Sequence, residues 1–262
     1  MEWDSPWGKG FPGWHLECSA MSLQLLAGYL DIHCGGIDHI NVHHTNEIAQ
    51  SEAATGQPFF NYWLHNAFLN IVGGKKMAKS ADNFLTLAKV VADLKISPLA
   101  YRYASLQVHY RKPMEYSEEN LLAADNGLDN LCNQLAKLDR TNGQISEEWQ
   151  AKFMITINDD LNMPQALALV FEILKSNLIP ADKWATIIDF DRVLGLGLEI
   201  KANQAAAYNS AIDDLEALGL LEKRQAARQV KDFVLADQLR QKLLDLGYAI
   251  EDNSSGSNLK RL

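Results

Sequence analysis

The spacing of apolar positions changes along the chain, and each change marks a different kind of architecture. In the first third, helical and strand-like signals alternate. Leu16 to Leu30 reads as a helix with Met21, Leu25 and Leu26 on its apolar side, and Asp31-Ile32-His33-Cys34-Gly35 as a short buried strand ending at glycines. Thr45 opens a helix through Ala54, and Phe68-Leu69-Asn70-Ile71-Val72 reads as a further strand ahead of Gly73-Gly74. Such alternation predicts α/β architecture for residues 1–90. From about Leu85 to Leu198 the helical period takes over, with breaks at Ser97-Pro98, Lys112-Pro113, Thr141-Asn142-Gly143 and Ile179-Pro180. Residues 91–200 are therefore expected to be helical. An alanine-rich and polar stretch from Asn203 to Asn209 predicts a linker. Beyond it Leu235, Leu239, Leu243 and Leu246 fall at helical spacing until Gly247, which predicts a small helical domain over 201–262 with a frayed end at 253–257. There is no internal repeat.

Composition adds few constraints. The chain has 262 residues, 47% of them hydrophobic and 22% charged, enough for a substantial core in more than one domain. No run approaches the roughly 18 apolar residues of a membrane span, and the first residues lack a signal-peptide pattern, so a cytoplasmic protein without membrane contact is expected. Cys18, Cys34 and Cys132 are widely spaced and odd in number, which favours reduced thiols over a disulfide framework, with Cys34 expected to be a small buried thiol. The net charge of −9 counts against a nucleic-acid partner, but its placement is uneven. Lys75, Lys76 and Lys79 cluster, Arg111 and Lys112 are adjacent, and Arg224, Arg228 and Lys231 recur at i, i+4 and i+7 along one predicted helical face. That face suits RNA phosphates and, equally, plain solvation.

Chemistry enters with Gly74-Lys75-Lys76-Met77-Ala78-Lys79-Ser80, one residue away from the KMSKS loop signature. Two lysines on a glycine-hinged loop can follow phosphate charge as it redistributes during attack on an α-phosphate. Taken alone the string is an ordinary lysine-rich turn. It stands, however, downstream of Pro12-Gly13-Trp14-His15-Leu16-Glu17-Cys18-Ser19-Ala20-Met21, Asp31-Ile32-His33-Cys34-Gly35-Gly36-Ile37-Asp38 and His43-His44-Thr45-Asn46-Glu47-Ile48-Ala49-Gln50-Ser51-Glu52. Further on come Arg111-Lys112-Pro113, Tyr116-Ser117-Glu118-Glu119-Asn120 and Asp159-Asp160-Leu161-Asn162-Met163-Pro164. In this order these strings resemble the cysteinyl-tRNA synthetases, a family of class I aminoacyl-tRNA synthetases.

The resemblance implies the second half of a Rossmann-type catalytic domain, a helical stem and bundle, and a small C-terminal anticodon-binding domain. It implies ATP-dependent attachment of L-cysteine to the cysteine tRNA by a monomer holding one zinc ion, with ATP as substrate. Cys18, His43 and Glu47 match three of the family's four zinc ligands, the fourth being a cysteine from an N-terminal half. A thiolate, an imidazole and a carboxylate suit zinc, and His43 and Glu47 at i, i+4 share one side of a helical turn. Trp14, Gly36, Ile37 and Asp38 match positions that touch cysteine or its adenylate. Lys76 and Lys79 match the catalytic lysines, Lys79 on ATP, with Ala78 in place of the usual serine. Arg224, Arg228 and Lys231 fall in the tRNA-binding end. No HIGH motif occurs, and Trp3-Asp4-Ser5-Pro6-Trp7-Gly8-Lys9-Gly10 is similar to an internal segment of the family, so a chain lacking the N-terminal half is expected. A non-catalytic tRNA- or zinc-binding fragment, a half-enzyme completed by the other half in trans, and a cysteine ligase of mycothiol-synthesis type remain as alternatives.

Overall fold

A computed structural model of the chain describes residues 2–26, 30–71, 85–210, 215–230, 232–253 and 256–261. The chain forms two compact units, residues 1–202 and 203–262.

The first unit begins with an antiparallel strand pair, β1 (Trp3–Ser5) and β2 (Gly8–Gly10), followed by helix α1 (Trp14–Leu25). Strand β3 (Leu30–Gly36) runs into a short 3-10 turn over Ile37–His39 and a π-helical turn over Ile40–His44, which opens directly into α2 (Thr45–Thr55). β4 (Phe60–Asn66) then pairs with β3 in parallel, so β3, α2 and β4 form one strand–helix–strand unit. α1 ends earlier than the apolar spacing predicts, and Leu30 already belongs to β3. β3 is also not the buried strand expected. Asp31, Ile32 and Cys34 are exposed, and β3 pairs only with β4 among the described residues. Cys34 is therefore an exposed thiol, contrary to expectation.

β5 (Leu69–Ile71) is followed by α3 (Leu87–Leu94) and α4 (Pro98–Leu106), and pairs in parallel with β6 (Met114–Tyr116). This pairing joins segments on either side of residue 90. The rest of the unit is helical: α5 (Glu118–Ala136), α6 (Glu147–Asn158), α7 (Met163–Lys175), α8 (Pro180–Leu194) and the first residues of α9 (Leu198–Ser210). Local chemistry sets the helix ends. Ser97 and Ser117 accept the backbone N–H groups of Leu99 and Asn120 as N-caps, Pro98 and Pro180 occupy first helical positions where no N–H is needed, and Gly195 ends α8 at φ 62°. The core lies here, with Leu128, Leu131, Leu135, Val170, Ile173, Ile187 and Phe190 all fully buried. Phe153 stacks on Phe190 at 4.0 Å between centroids.

Residues 203–209, expected as a linker, continue α9. Alanine has the highest helix propensity, and Asn and Gln cost only tenths of a kcal/mol each. In the second unit α10 (Leu215–Gln229) packs on α11 (Phe233–Asp245), and Tyr248–Asn253 and Gly256–Arg261 form an antiparallel hairpin, β7 and β8. Of the frayed end expected at 253–257, Asn253, Gly256 and Ser257 take part in strand pairing, and 254–255 lie outside the described residues. Ala217, Leu221, Leu243, Tyr248 and Leu259 form the small core that the hairpin completes.

Candidate metal and substrate site

Three segments converge where β3 ends. α1 carries Cys18, the π-helical turn carries His43 and His44, and α2 carries Glu47. The widened turn brings two consecutive histidines into the interior, both buried, and the Thr45 hydroxyl donates to the Ile40 carbonyl (2.6 Å) five residues back. His43 and Glu47 stay one helical turn apart, with His43 Nε2 at 4.0 Å from Glu47 Oε2. The ligand atoms of Cys18, His43 and Glu47 lie within 4.8 Å of one another. A second set, His33, His44 and Glu47, meets the same limit and shares the carboxylate. His33 Nε2 and Glu47 Oε2 share a hydrogen bond of 3.1 Å, and His44 Nδ1 and His65 Nε2 one of 2.8 Å.

Burial dominates the electrostatics of these groups. Glu47 is 0% exposed, and its Oε1 has no hydrogen-bond partner. Burial pushes its carboxyl up to about 7 and, with the nearby Glu47 carboxylate, raises the Cys18 thiol. Burial, then the neighbouring imidazoles, lower His33 and His43 and bring His44 down to about 4. Every shift favours the neutral form, and a divalent cation would reverse those of the thiol and the carboxylate. An orphaned buried oxygen, a thiol and imidazoles with available lone pairs are donors that fit zinc.

Trp14 begins α1 and lies over His43 with ring centroids 4.4 Å apart, and over His39 at 5.3 Å. The indole is 61% exposed, so it stands beside His43 at the surface and is not part of a core. Gly36 closes β3, and a Cβ there would lie 2.4 Å from Asp38 Oδ1, so the absence of a side chain at 36 lets the Asp38 carboxylate fold back. Ile37 and Asp38 are exposed beside it. The structure thus gathers Cys18, His43, Glu47 and Trp14 at one place, with Gly36, Ile37 and Asp38 on the segment leading to it.

The other sequence candidates fall elsewhere. Lys76 and Lys79 lie outside the described residues, as does Lys231. Arg228 is exposed on α10. Arg224 corrects the expected basic face. It is 6% exposed and donates to the Ser257 hydroxyl at 3.2 Å, because position 224 falls on the side of α10 that already buries Ala217, Leu221 and Ala227. His33, His44 and His65 were not assigned roles from the sequence. Only the parallel register of β3 and β4, which sets Gly35 opposite His65, reveals their proximity.

Comparison with known proteins identifies the family. Residues 1–126 match the family described as the catalytic domain of class I (C) tRNA synthetases. Among solved structures the fold is similar to LeuRS in its ternary complex with tRNA and LeuAMS, from Agrobacterium radiobacter K84 agnB2. The TM-score is 0.51 at 18% identity, covering 68% of this chain and 26% of that one, and this likeness concerns the fold alone. The class is thus that of the class I synthetases. Among curated proteins, cysteine–tRNA ligase 1 of Burkholderia lata is 44% identical over 260 residues, 99% of this chain and 54% of that protein. The cysteine–tRNA ligase of Treponema denticola is 41% identical over 290 residues, 100% of this chain and 58% of that protein. The chain belongs to the cysteinyl-tRNA synthetase family. It spans little more than half the length of these curated relatives.

Proposed function

We propose that this chain works as the C-terminal portion of a cysteine–tRNA ligase, supplying the side of the active site that selects cysteine. The observation that carries this reading is the convergence of Cys18, His43 and Glu47, with the Trp14 indole over His43. These three residues would hold zinc, which when bound takes the substrate thiol as a thiolate and so separates cysteine from serine. Trp14 offers a flat wall to a small side chain, and Asp38 an acceptor for the α-ammonium group. Lys76 and Lys79 would serve ATP as cysteine is converted to its adenylate and then transferred to the terminal ribose of the tRNA. Residues 1–90 would form the catalytic portion, 91–200 the stem and bundle, and 201–262 the tRNA-binding domain, with Arg228 and Lys231 contributing to phosphate contact in the cytoplasm. Adenylate formation needs donors on two sides of the triphosphate. The remaining length of the relatives would provide the second side, in the same polypeptide or in another.

Zinc content after equilibration, compared with Cys18→Ser, tests the centre, and titration with cysteine and with serine tests selectivity. Zinc lost in the variant, and cysteine preferred only by zinc-loaded protein, are the expected results. Equal zinc in both proteins would overturn the reading. For the RNA, Arg228→Ala should flatten the salt dependence of tRNA binding by about one unit of slope.

A further inference from the structure

The sequence contains two Asn-Gly pairs, Asn126-Gly127 and Asn142-Gly143, and the fold places them in different backbone states. We propose that Asn142 is a site of spontaneous covalent modification, converting through a cyclic imide to isoaspartate, and that this change loosens the loop between α5 and α6 from α8. The proposal is independent of the metal pocket and of RNA binding.

Exposure does not separate the two pairs, since both asparagines are exposed and both glycines are half-buried. Backbone state does. Asn126 and Gly127 lie inside α5, where the Gly127 N–H is a donor in the helical ladder. Asn142 and Gly143 lie outside any helix or strand, and neither takes part in a hydrogen bond among the described residues. Asn142 has φ of 53°, a left-handed conformation that asparagine tolerates, and Gly143 brings no side chain to shield its own nitrogen. Ring closure needs Asn142 to rotate out of that conformation, and no hydrogen bond of either residue has to break for it. The Gly143 nitrogen then attacks Asn142 Cγ, a C–N bond forms, and the side-chain amide leaves as ammonia with the proton that the nitrogen loses. Water opens the five-membered imide. Cleavage at Cγ gives aspartate, and cleavage at the main-chain carbonyl carbon of residue 142 gives isoaspartate, whose main chain runs through Cβ and Cγ and is one carbon longer.

The next residues of the loop make that extra carbon matter. A Cβ built on Gly143 would lie 2.0 Å from the Ala181 carbonyl oxygen, so the chain at 143 is pressed against the first turn of α8. The Gln144 N–H donates to Asp182 Oδ1 at 2.8 Å, and the Ser146 N–H to the fully buried Thr186 hydroxyl at 3.0 Å. Lengthening the chain just before these contacts displaces Gly143 and both N–H groups. The competing view is that the same contact at Gly143 holds the pair too rigidly to react.

Ageing the chain in mildly alkaline buffer at physiological temperature, followed by peptide mapping, decides between them. Conversion appears as the mass gain of exchanging an amide NH2 for OH, and isoaspartate as a substrate for an isoaspartyl methyltransferase. In the folded chain Asn142 should convert at least about tenfold faster than Asn126, which reacts only when α5 opens. In urea the two pairs should react at similar rates. An Asn142 peptide that stays unchanged in the folded chain, or Asn126 converting there equally fast, would overturn the site. The isoaspartate fraction should unfold at a lower temperature than fresh chain, whereas Asn142→Asp, with the same charge and an ordinary main chain, should stay close to it. Asn142→Gln, aged in parallel, should keep its own starting midpoint. Equal midpoints for the isoaspartate fraction and Asn142→Asp, or a matching fall in Asn142→Gln, would overturn the loosening.

Discussion

The residues before α3 and the helices after it bury different things. From residue 2 to 71, the buried hydrophobic side chains among the described residues are Phe59, Phe60 and Ala67. The same stretch holds Ser19, His43, His44, Glu47 and Ser51, five of the seven buried polar side chains described. It also leaves Trp7 92% exposed. The helical part of the same unit reverses the pattern, with leucines, isoleucines and phenylalanines inside and Thr186 as its one buried polar side chain among the described residues. Polar burial costs free energy unless a partner offsets it, so the apolar helical interior contributes more to stability than the polar one.

The contrast breaks most clearly if the helical core proves dispensable. Phe190→Ala removes a fully buried ring stacked on Phe153 and should cost about 3–5 kcal/mol in denaturant unfolding. Trp14→Ala, at an exposed indole, should leave the unfolding midpoint nearly unchanged and weaken cysteine binding. Similar losses of stability in the two variants would erase the distinction between the regions.

Glu47→Gln probes the other half of the contrast. Removing a carboxyl that burial pushes up to about 7 should leave thermal stability of the metal-free chain equal or higher, while zinc affinity falls at least about tenfold. A large drop in stability without metal would mean that Glu47 is a structural residue. Gly35→Ala should have an intermediate effect. Its Cβ would meet His44 and His39, and the resulting overpacking should cost about 1–3 kcal/mol and weaken metal binding, measured by calorimetry on the same sample.

The two regions also differ in how much the sequence disclosed. Helical periodicity outlined the region after residue 85 because local signals decide it: caps at Ser97 and Ser117, prolines at first turns, and leucines at fixed spacing. It failed at Asn203–Asn209, where alanine propensity favoured helix over the linker suggested by polarity, and at the hairpin, whose partner strands declare themselves only by pairing. In the pocket, the His43–Glu47 spacing was legible because it is local. Cys18 joined that pair through family resemblance, and its convergence with them depends on the packing of α1 against α2. His33 and His65 depend on strand register, and Arg224 on which side of α10 meets the hairpin. Neither property is written in a single stretch of chain.

The smallest expected effect lies where the strand-rich segment meets the helices. Tyr110 and Arg111, just before β6, both donate to Asp160 in the turn between α6 and α7, the tyrosine hydroxyl at 2.6 Å and Arg111 Nη2 at 3.0 Å. Asp160 and Leu161 have φ of 52° and 53°, a left-handed turn that aspartate tolerates better than leucine. The Arg111 guanidinium, then the Tyr110 hydroxyl, lower the Asp160 carboxyl to about 2. Its folded value therefore lies below the ordinary value of about 3.9, so the ionised carboxylate favours the folded state. That contribution is complete above about pH 4 and disappears as pH falls through about 2. Asp160→Asn should lower the unfolding midpoint slightly at pH 5, less at pH 3, and not at all well below pH 2, the effect being small throughout because the groups are exposed and screened. Carboxyl-detected NMR titration gives the direct check. An Asp160 midpoint near 4 would show that the clasp is not formed in solution, and that the strand-rich segment and the helical core meet here without an ionic link.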